Sequence, residues 1–310
     1  MTSRPWTPRR LVGVGLKVAA VGAIAWFLAT SADLPALQAV LLRLPIPTLL
    51  AAIGLLGLAL VVASQRWRML MRAFGVEAPP PLGRVLRLTL VGLFYNTYVP
   101  GAVGGDVVRG VLVRRLFRHP AASYVVVLLE RLIGLSALAL VLGIGVLVGP
   151  DIVDRGTLLL WIGILAGLGV AIVAAALATG RLQALFRLIP PVTHPGQLGG
   201  AFAISFVGHG LSLAIFALLA HGLAVPVAPT ALLLVVPLAL VAAFVPLSIA
   251  GIGPRETALV GLLSLLGVPR PEALGLSLAY ALTVLVVAGL GGLAQLLGGP
   301  LEAAGADSPG

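Results

Sequence analysis

The sequence predicts an all-α, polytopic integral membrane protein, with about six full transmembrane helices and two broken, re-entrant hairpins in an inverted repeat. Three observations predict it. Hydrophobic residues make up 60% of the 310 residues and charged residues only 10%, with a mean hydropathy of +1.14. That is too little charge to cover a soluble domain of this size. The apolar residues run in stretches of about 18 or more, enough to cross a hydrocarbon core. Most charges fall in the short intervals between those stretches.

Six stretches read as full spans: 11–30, 46–63, 122–148, 157–178, 199–222 and 273–298. Arg9-Arg10 before Leu11 to Ala29 resembles a signal sequence. The apolar run is longer than a signal core and no secreted body follows, so it reads as the first span. Two further apolar regions, 82–118 and 231–266, are interrupted by Val99-Pro100-Gly101-Ala102-Val103-Gly104-Gly105 and by Val245-Pro246-Leu247-Ser248-Ile249-Ala250-Gly251-Ile252-Gly253-Pro254. Proline lacks a backbone donor and glycine permits sharp turns, so each region divides into two half-helices.

Charge sets the orientation. Arg4, Arg9, Arg10 and Lys17 lie at the start of the first span, and Arg66, Arg68, Arg72, Arg84 and Arg87 follow the second. Arg114, Arg115 and Arg118 lie at the exit of the first broken region, whereas Asp151 and Asp154 follow the 122–148 span. Retention of arginine on the cytoplasmic side places both termini there, with the two broken regions dipping in from opposite faces. The order span, span, broken hairpin, span then repeats with an offset near 150 residues and opposite orientation, putting Asp106 in register with Glu256 and Gly101 with Gly251. The chain is thus one transmembrane unit over 1–310, with halves at 10–150 and 155–300 and cytoplasmic tails at 1–9 and 301–310.

The net charge of +10 does not form a stripe on a soluble element, which argues against nucleic acid as a partner. Arginine supplies every basic residue but Lys17; this suits bidentate phosphate binding and is equally what GC-rich codon usage favours. There is no cysteine, and His119, His194, His209 and His221 have no metal-ligand spacing, so no metal or other cofactor is expected.

The densest candidate constellation is Gly104-Gly105-Asp106-Val107-Val108-Arg109. A glycine turn brings bare amides to a half-helix N-terminus, where the dipole favours an anion. Asp106 suits the N-cap, and Arg109 falls one turn on along the same face, leaving room for a phosphate. A plain helix start with a local ion pair has the same pattern. Glu130 and Arg131 lie about two turns inside their span. They point about 100° apart, so each either reaches another helix, with Asp106 and Arg109 as candidates, or snorkels to the headgroups. Arg255 and Glu256 follow a proline suited to the first turn of a half-helix, and serve either as a functional pair or as a salt bridge pinning the hairpin. Tyr95, Asn96 and Tyr98 precede the first break and can line a polar path or cap half-helix carbonyls. Ser64-Gln65-Arg66-Trp67-Arg68 reads as an interfacial anchor closing the second span. His209 reads as a helix-to-helix hydrogen bond.

On these residues the chain resembles the flippase-like transmembrane region of the lysylphosphatidylglycerol synthases. The matching pieces are Ser64-Gln65-Arg66-Trp67, Val99-Pro100-Gly101, Gly104-Gly105-Asp106, Arg109, Glu130-Arg131-Leu132-Ile133-Gly134, Val245-Pro246-Leu247-Ser248, Gly251-Ile252-Gly253 and Arg255-Glu256. Ile249-Ala250 stands where the family usually carries further Pro or Gly, which changes the turn there. The sequence holds no soluble domain for aminoacyl transfer. The resemblance therefore implies a stand-alone member with the lipid-handling half of the activity, the movement of a polar-headed lipid between leaflets.

The leading expectation is a lipid flippase or transporter of a bacterial-type cytoplasmic (inner) membrane. It has no catalytic residue, and its partners are a phospholipid or lipid-linked molecule and the bilayer. Gly104, Gly105 and Arg109 would hold phosphate, and Asp106, Glu130 and Glu256 would meet a cationic headgroup or a coupling proton. Arg131, Arg255, Tyr95 and Asn96 complete the candidate binding set. Small-residue spacings such as Gly163 with Gly167 permit a homodimer as well as internal packing. One rival is an intramembrane transferase on lipid-linked substrates with Asp106, Glu130 and Glu256 as base or metal ligands. The carboxylates are few and no large loop offers a site for a soluble donor. The other rival is a non-catalytic membrane subunit beside a glycosyltransferase or lipid synthase. The orientation has a direct test on this cysteine-free background: single cysteines at Ser31 and Asp151 should react with an impermeant maleimide from outside intact cells, and those at Ala78 and Gly196 should not. The reverse pattern inverts the topology.

Overall fold

The computed structural model describes residues 34–98, 104–117, 122–150, 156, 192–243 and 253–297. The expected spans at 11–30 and 157–178, the turn residues 99–103 and 244–252, the Gly163–Gly167 pair and both tails lie outside them. Among the described residues there are nine α-helices and no strand. They are α1 (Leu34–Leu41), α2 (Ile46–Ala73), α3 (Leu82–Tyr98), α4 (Gly104–Val113), α5 (Ala122–Val148), α6 (Pro195–Gly222), α7 (Pro229–Ala242), α8 (Pro254–Leu265) and α9 (Arg270–Leu297). A 3-10 turn, Arg114–Leu116, follows α4. Helices α2, α5, α6 and α9 are each long and apolar enough to cross a membrane, and the chain is a multi-pass membrane protein. Helix starts carry proline where its missing donor costs nothing, at Pro195, Pro229 and Pro254.

Helices α2 and α6 form the antiparallel centre. At one end the Thr193 amide donates to Ala73 O at 2.8 Å, and at the other Gly222 lies against Thr48 and Leu44. Two apolar clusters mark these ends. The first gathers Trp67, Leu70, Met71 and Ala73 of α2 with Ala201 of α6, Val85 and Leu88 of α3, Val113 of α4 and Val126 of α5. The second gathers Ala52 of α2 with Phe216 and Leu219 of α6, Leu232 of α7, Leu263 of α8 and Ala273 of α9.

The start of α3 and the end of α4 therefore lie at one end of the molecule, and the start of α7 and the end of α8 at the other. Each pair runs inward and returns. None of these four helices exceeds 17 residues, short of the roughly 20 that a full span needs. Arg68, Arg72, Arg84, Arg87, Arg114 and Arg115 all stand on segments at the first end.

Around this centre α9 runs antiparallel to α3. Tyr98 Oη donates to Leu285 O at 3.0 Å, and Arg87 Nε donates to Ala294 O at 3.0 Å. Helix α7 packs on α5 through a backbone contact with a specific cause. Pro237 inside α7 removes the amide that would bond Leu233 O four residues earlier. Gly145 of α5 sits against that Leu233 carbonyl, where a Cβ would overlap it. Gly143, two residues away, faces open space. Gly145→Leu should cost about 1–3 kcal/mol through overpacking, seen as a lower thermal unfolding midpoint in detergent. Gly143→Leu should leave it unchanged, and equal effects of the two would remove the α5–α7 contact as the cause.

Candidate functional site

Five charged side chains, those of Arg66, Asp106, Arg109, Glu130 and Arg131, converge where α2, α4 and α5 meet. Glu130 stands on the buried stripe of α5 with Val126, Val127, Gly134, Ala137 and Val141. It is eight residues from Ala122, about 12 Å along the helix. Its carboxylate, only 4% exposed, is held from two sides. Arg109 Nη2 donates to Oε2 at 2.6 Å, and Arg66 Nη2 donates to Oε1 at 3.2 Å. Arg66 Nη1 also donates to Ser205 Oγ of α6 at 3.3 Å. Arg131, turned away from Glu130 along α5, pairs instead with Asp106 of α4, and Asp106 Oδ1 lies 3.7 Å from Arg109 Nη1. Charge alternates through the network: Arg66, Glu130, Arg109, Asp106, Arg131. Glu130 and Arg131 thus each reach another helix, as their 100° separation requires.

The guanidinium of Arg109 stacks on Trp67, with Cζ 3.9 Å from the ring centroid. Its methylenes cross Gly92 of α3. Trp67 is fully buried, and α2 continues unbroken to Ala73. The interfacial-anchor reading of Ser64 to Arg68 is therefore corrected. Arg66 remains inside the bundle because Glu130 supplies the opposite charge, and Trp67 remains there because it forms the floor under Arg109. Ser64 faces inward too, its hydroxyl 2.7 Å from Leu60 O and 3.0 Å from Thr89 Oγ1. One signal for this was present in the sequence. Trp67, Leu70 and Met71 continue the helical apolar period past Arg66, which places that arginine before a buried turn rather than after the last one.

The glycine turn also differs from expectation. Asp106 is the third residue of α4 and not its N-cap, because Arg131 and Arg109 draw its carboxylate sideways across the helix. Asn96 takes the capping task, its Oδ1 accepting the Gly105 amide at 2.8 Å. A Cβ at Gly105 would overlap Gly92 O and the Asn96 side chain, so only glycine lets α4 lie this close to α3. The Gly105 amide is thereby committed to Asn96 rather than facing outward for an anion, and Gly104 opens α4 beside it. Tyr95 Oη accepts from Gln295 Nε2 at 2.9 Å, and Tyr98 binds Leu285 O, so both tyrosines tie α3 to α9.

Arg255 and Glu256 form a separate node. Arg255 Nε donates to Glu256 Oε1 at 2.8 Å, and Glu256 Oε2 accepts the Gly253 amide at 2.7 Å, closing the start of α8. Arg255 also lies over the Tyr280 ring at 4.6 Å, and that ring stacks on Phe216. The arrangement matches the salt-bridge reading, with the pair pinning α8 to α9 and α6.

A cavity of about 350 Å³ opens beside the first network. Its charged lining is Arg66, Arg109, Arg131 and Glu130; its neutral polar lining is Thr89, His209 and Ser212. Leu240 and Ala243, at the end of α7 and next to the second break, close one wall. His209 Nε2 lies 2.9 Å from Gly134 O, the helix-to-helix hydrogen bond expected of it. Arg255 and Glu256 are not part of this lining. Thr89, Ser205 and Ser212 carried no signal in the sequence, because hydroxyls are common in membrane helices and bond their own backbone. Among the described residues no group of three or more His, Asp or Glu side chains is placed to hold a metal ion.

Fold and site together define a polytopic helical membrane protein with a charged cavity between its spans. Residues 14–292 match the lysylphosphatidylglycerol synthase TM region, and the chain belongs to that family. No curated protein matches it.

The network makes a stability prediction. Glu130→Ala leaves Arg66 and Arg109 facing each other without their shared carboxylate, and should cost about 3–5 kcal/mol, measured by thermal unfolding in detergent micelles. Adding Arg66→Met to Glu130→Ala should restore part of the loss. Strictly additive losses would show that the two side chains are not coupled.

Proposed function

We propose that the protein moves a polar-headed phospholipid or lipid-linked molecule between the two leaflets of the membrane. The observation that carries this reading is the cavity itself, a volume of about 350 Å³ lined by three arginines that stand inside the helix bundle rather than at its ends. Intramembrane charges are costly, and they mark substrate pathways more often than they serve packing alone. Membership of a family named for the membrane part of a phospholipid synthase supports a lipid as the cargo.

In this reading the two antiparallel pairs, α3–α4 and α7–α8, are re-entrant hairpins entering from opposite faces, one in each half of an inverted repeat. The cavity lies against α4 on one side and the end of α7 on the other, the placement that alternating access between two halves requires. Headgroup phosphate would sit among Arg66, Arg109 and Arg131 while the acyl chains remain in lipid. Asp106 and Glu130 would keep those guanidiniums aimed. The gathering of arginines at one end supports a cytoplasmic membrane with both termini on the cytoplasmic side.

The test is purified protein in liposomes carrying acyl-labelled fluorescent phospholipids, with crossing read by dithionite quenching. Wild type should accelerate crossing over protein-free vesicles. Arg66→Gln, which keeps a polar side chain and leaves Glu130 paired with Arg109, should slow it by about tenfold or more, the effect of one charge-assisted hydrogen bond of roughly 1.5–3 kcal/mol. A wild-type rate equal to protein-free vesicles sinks the proposal, and an unchanged rate in a folded Arg66→Gln protein removes the cavity from the path.

A further inference from the structure

Among the described residues the cavity is lined from six helices, and five of them are tied together by polar contacts. Glu130 binds α5 to α2 and α4 through Arg66 and Arg109, and Asp106 of α4 returns to α5 through Arg131. Thr89 of α3 meets Ser64 of α2 at 3.0 Å, and His209 of α6 meets Gly134 O of α5 at 2.9 Å. The sixth wall is different. It consists of Leu240 and Ala243, at the end of α7. Helix α7 carries no charge, and its only polar side chain, Thr230, is the second residue of the helix. Apolar side chains in a bilayer gain little by touching protein instead of lipid tails. This wall is therefore the one that separates at least cost.

Helix α7 is also divided mechanically at Pro237. Before it, Gly145 of α5 lies against the backbone of Leu233 and Leu234, and Gly149 lies against Thr230 O. Leu232, Leu234, Val235 and Val236 are all buried there. Beyond Pro237 only Ala239 is buried among residues 238–243, and Val241 is 42% exposed. The proline removes the backbone hydrogen bond to Leu233 O at the junction of the two parts, which loosens the helix there. The start of α7 is thus clamped on α5, and the part facing the cavity is joined to it by a weakened turn.

We infer that residues 238–243 are the gate of the cavity, swinging about Pro237 while the other five walls stay fixed. Because the gate has no polar side chain, its movement breaks none of the ion pairs that hold the arginines. The hinge rests on this geometry alone; its use in admitting and releasing a headgroup rests on the transport reading.

The chain has no cysteine, so spin labels go onto single introduced ones. Two label pairs share Leu296→Cys near the end of α9. One adds Val241→Cys beyond Pro237, and the other adds Thr230→Cys before it; all three sites are exposed. In lipid nanodiscs, double electron–electron resonance should show two distances for the Val241 pair and one for the Thr230 pair. A single narrow distance for both overturns the gate. Two distances for both overturn the hinge at Pro237, since the whole helix then moves. Pro237→Ala supplies an amide to Leu233 O and should merge the two Val241 distances into one. Two distances in the folded variant would again overturn the hinge. The same variant should unfold no earlier than wild type, yet slow dithionite-read lipid crossing about three- to tenfold, the cost of breaking one restored backbone hydrogen bond at each opening. Unchanged crossing in a variant locked at one distance takes the gate out of the lipid's path and overturns it. Motion at Val241 in a protein that moves no lipid upholds the hinge and removes the transport reading. Crossing by wild type with Val241 fixed does the reverse.

Discussion

A carboxylate about two turns inside a membrane helix must be neutralised, and Glu130 is neutralised from two directions at once. Arg66 arrives from α2 and Arg109 from α4, each taking one oxygen. The rest of the site depends on that double engagement. It holds the short α4 against α5, it allows α2 to carry a guanidinium past the point where an arginine would otherwise leave for the headgroups, and it sets both cations along one wall of the cavity. Remove the carboxylate and Arg66 loses the acid it is paired with, while Arg109 keeps only the longer contact to Asp106 at 3.7 Å.

Neighbouring contacts make the arrangement rigid rather than merely neutral. Trp67 stacks under Arg109, Gly92 leaves space for its methylenes, and Ser205 takes the other amino group of Arg66. The close approach of α4 to α3 at Gly105 brings Asp106 within reach of Arg131, so the same glycine turn that breaks the helix also aims the second carboxylate. Groups held in place in this way have met their ordering cost in folding. The second break is organised differently. Glu256 closes the start of α8 and Arg255 rests on Tyr280, so its charges stabilise a turn and leave the cavity to the first.

Much of the architecture was legible in the sequence. Long apolar runs determine spanning helices because a backbone in hydrocarbon has to satisfy its own hydrogen bonds. The density of Pro and Gly before Asp106 and before Arg255 determines where apolar regions break. The angular separation of Glu130 and Arg131 showed that they do not pair with each other and made Asp106 and Arg109 candidate partners, with snorkelling as the alternative; the packing of α4 on α5 decided between them. Arg66 was misread because an arginine beside a tryptophan near the end of an apolar run has the same local pattern whether it anchors at an interface or faces a buried acid. Asp106 was misplaced by a few residues of helix register, since a cap and a third helical position differ only in what lies across from them.

The amino-acid sequence by itself determined that the chain is an all-α membrane protein with two interrupted segments and a handful of charges too deep to be incidental. These are properties of each segment against its solvent, readable one helix at a time. Only the tertiary structure decided which carboxylate answers which arginine, that Asn96 and not Asp106 receives the Gly105 amide, that Glu256 serves its own turn, and that the cavity wall is left with more cations than anions. The physical reason is distance. A charge in lipid must find its partner, but the partner lies 21 residues away for Arg109 and 64 for Arg66, and no local pattern encodes a contact that arises only when the helices pack.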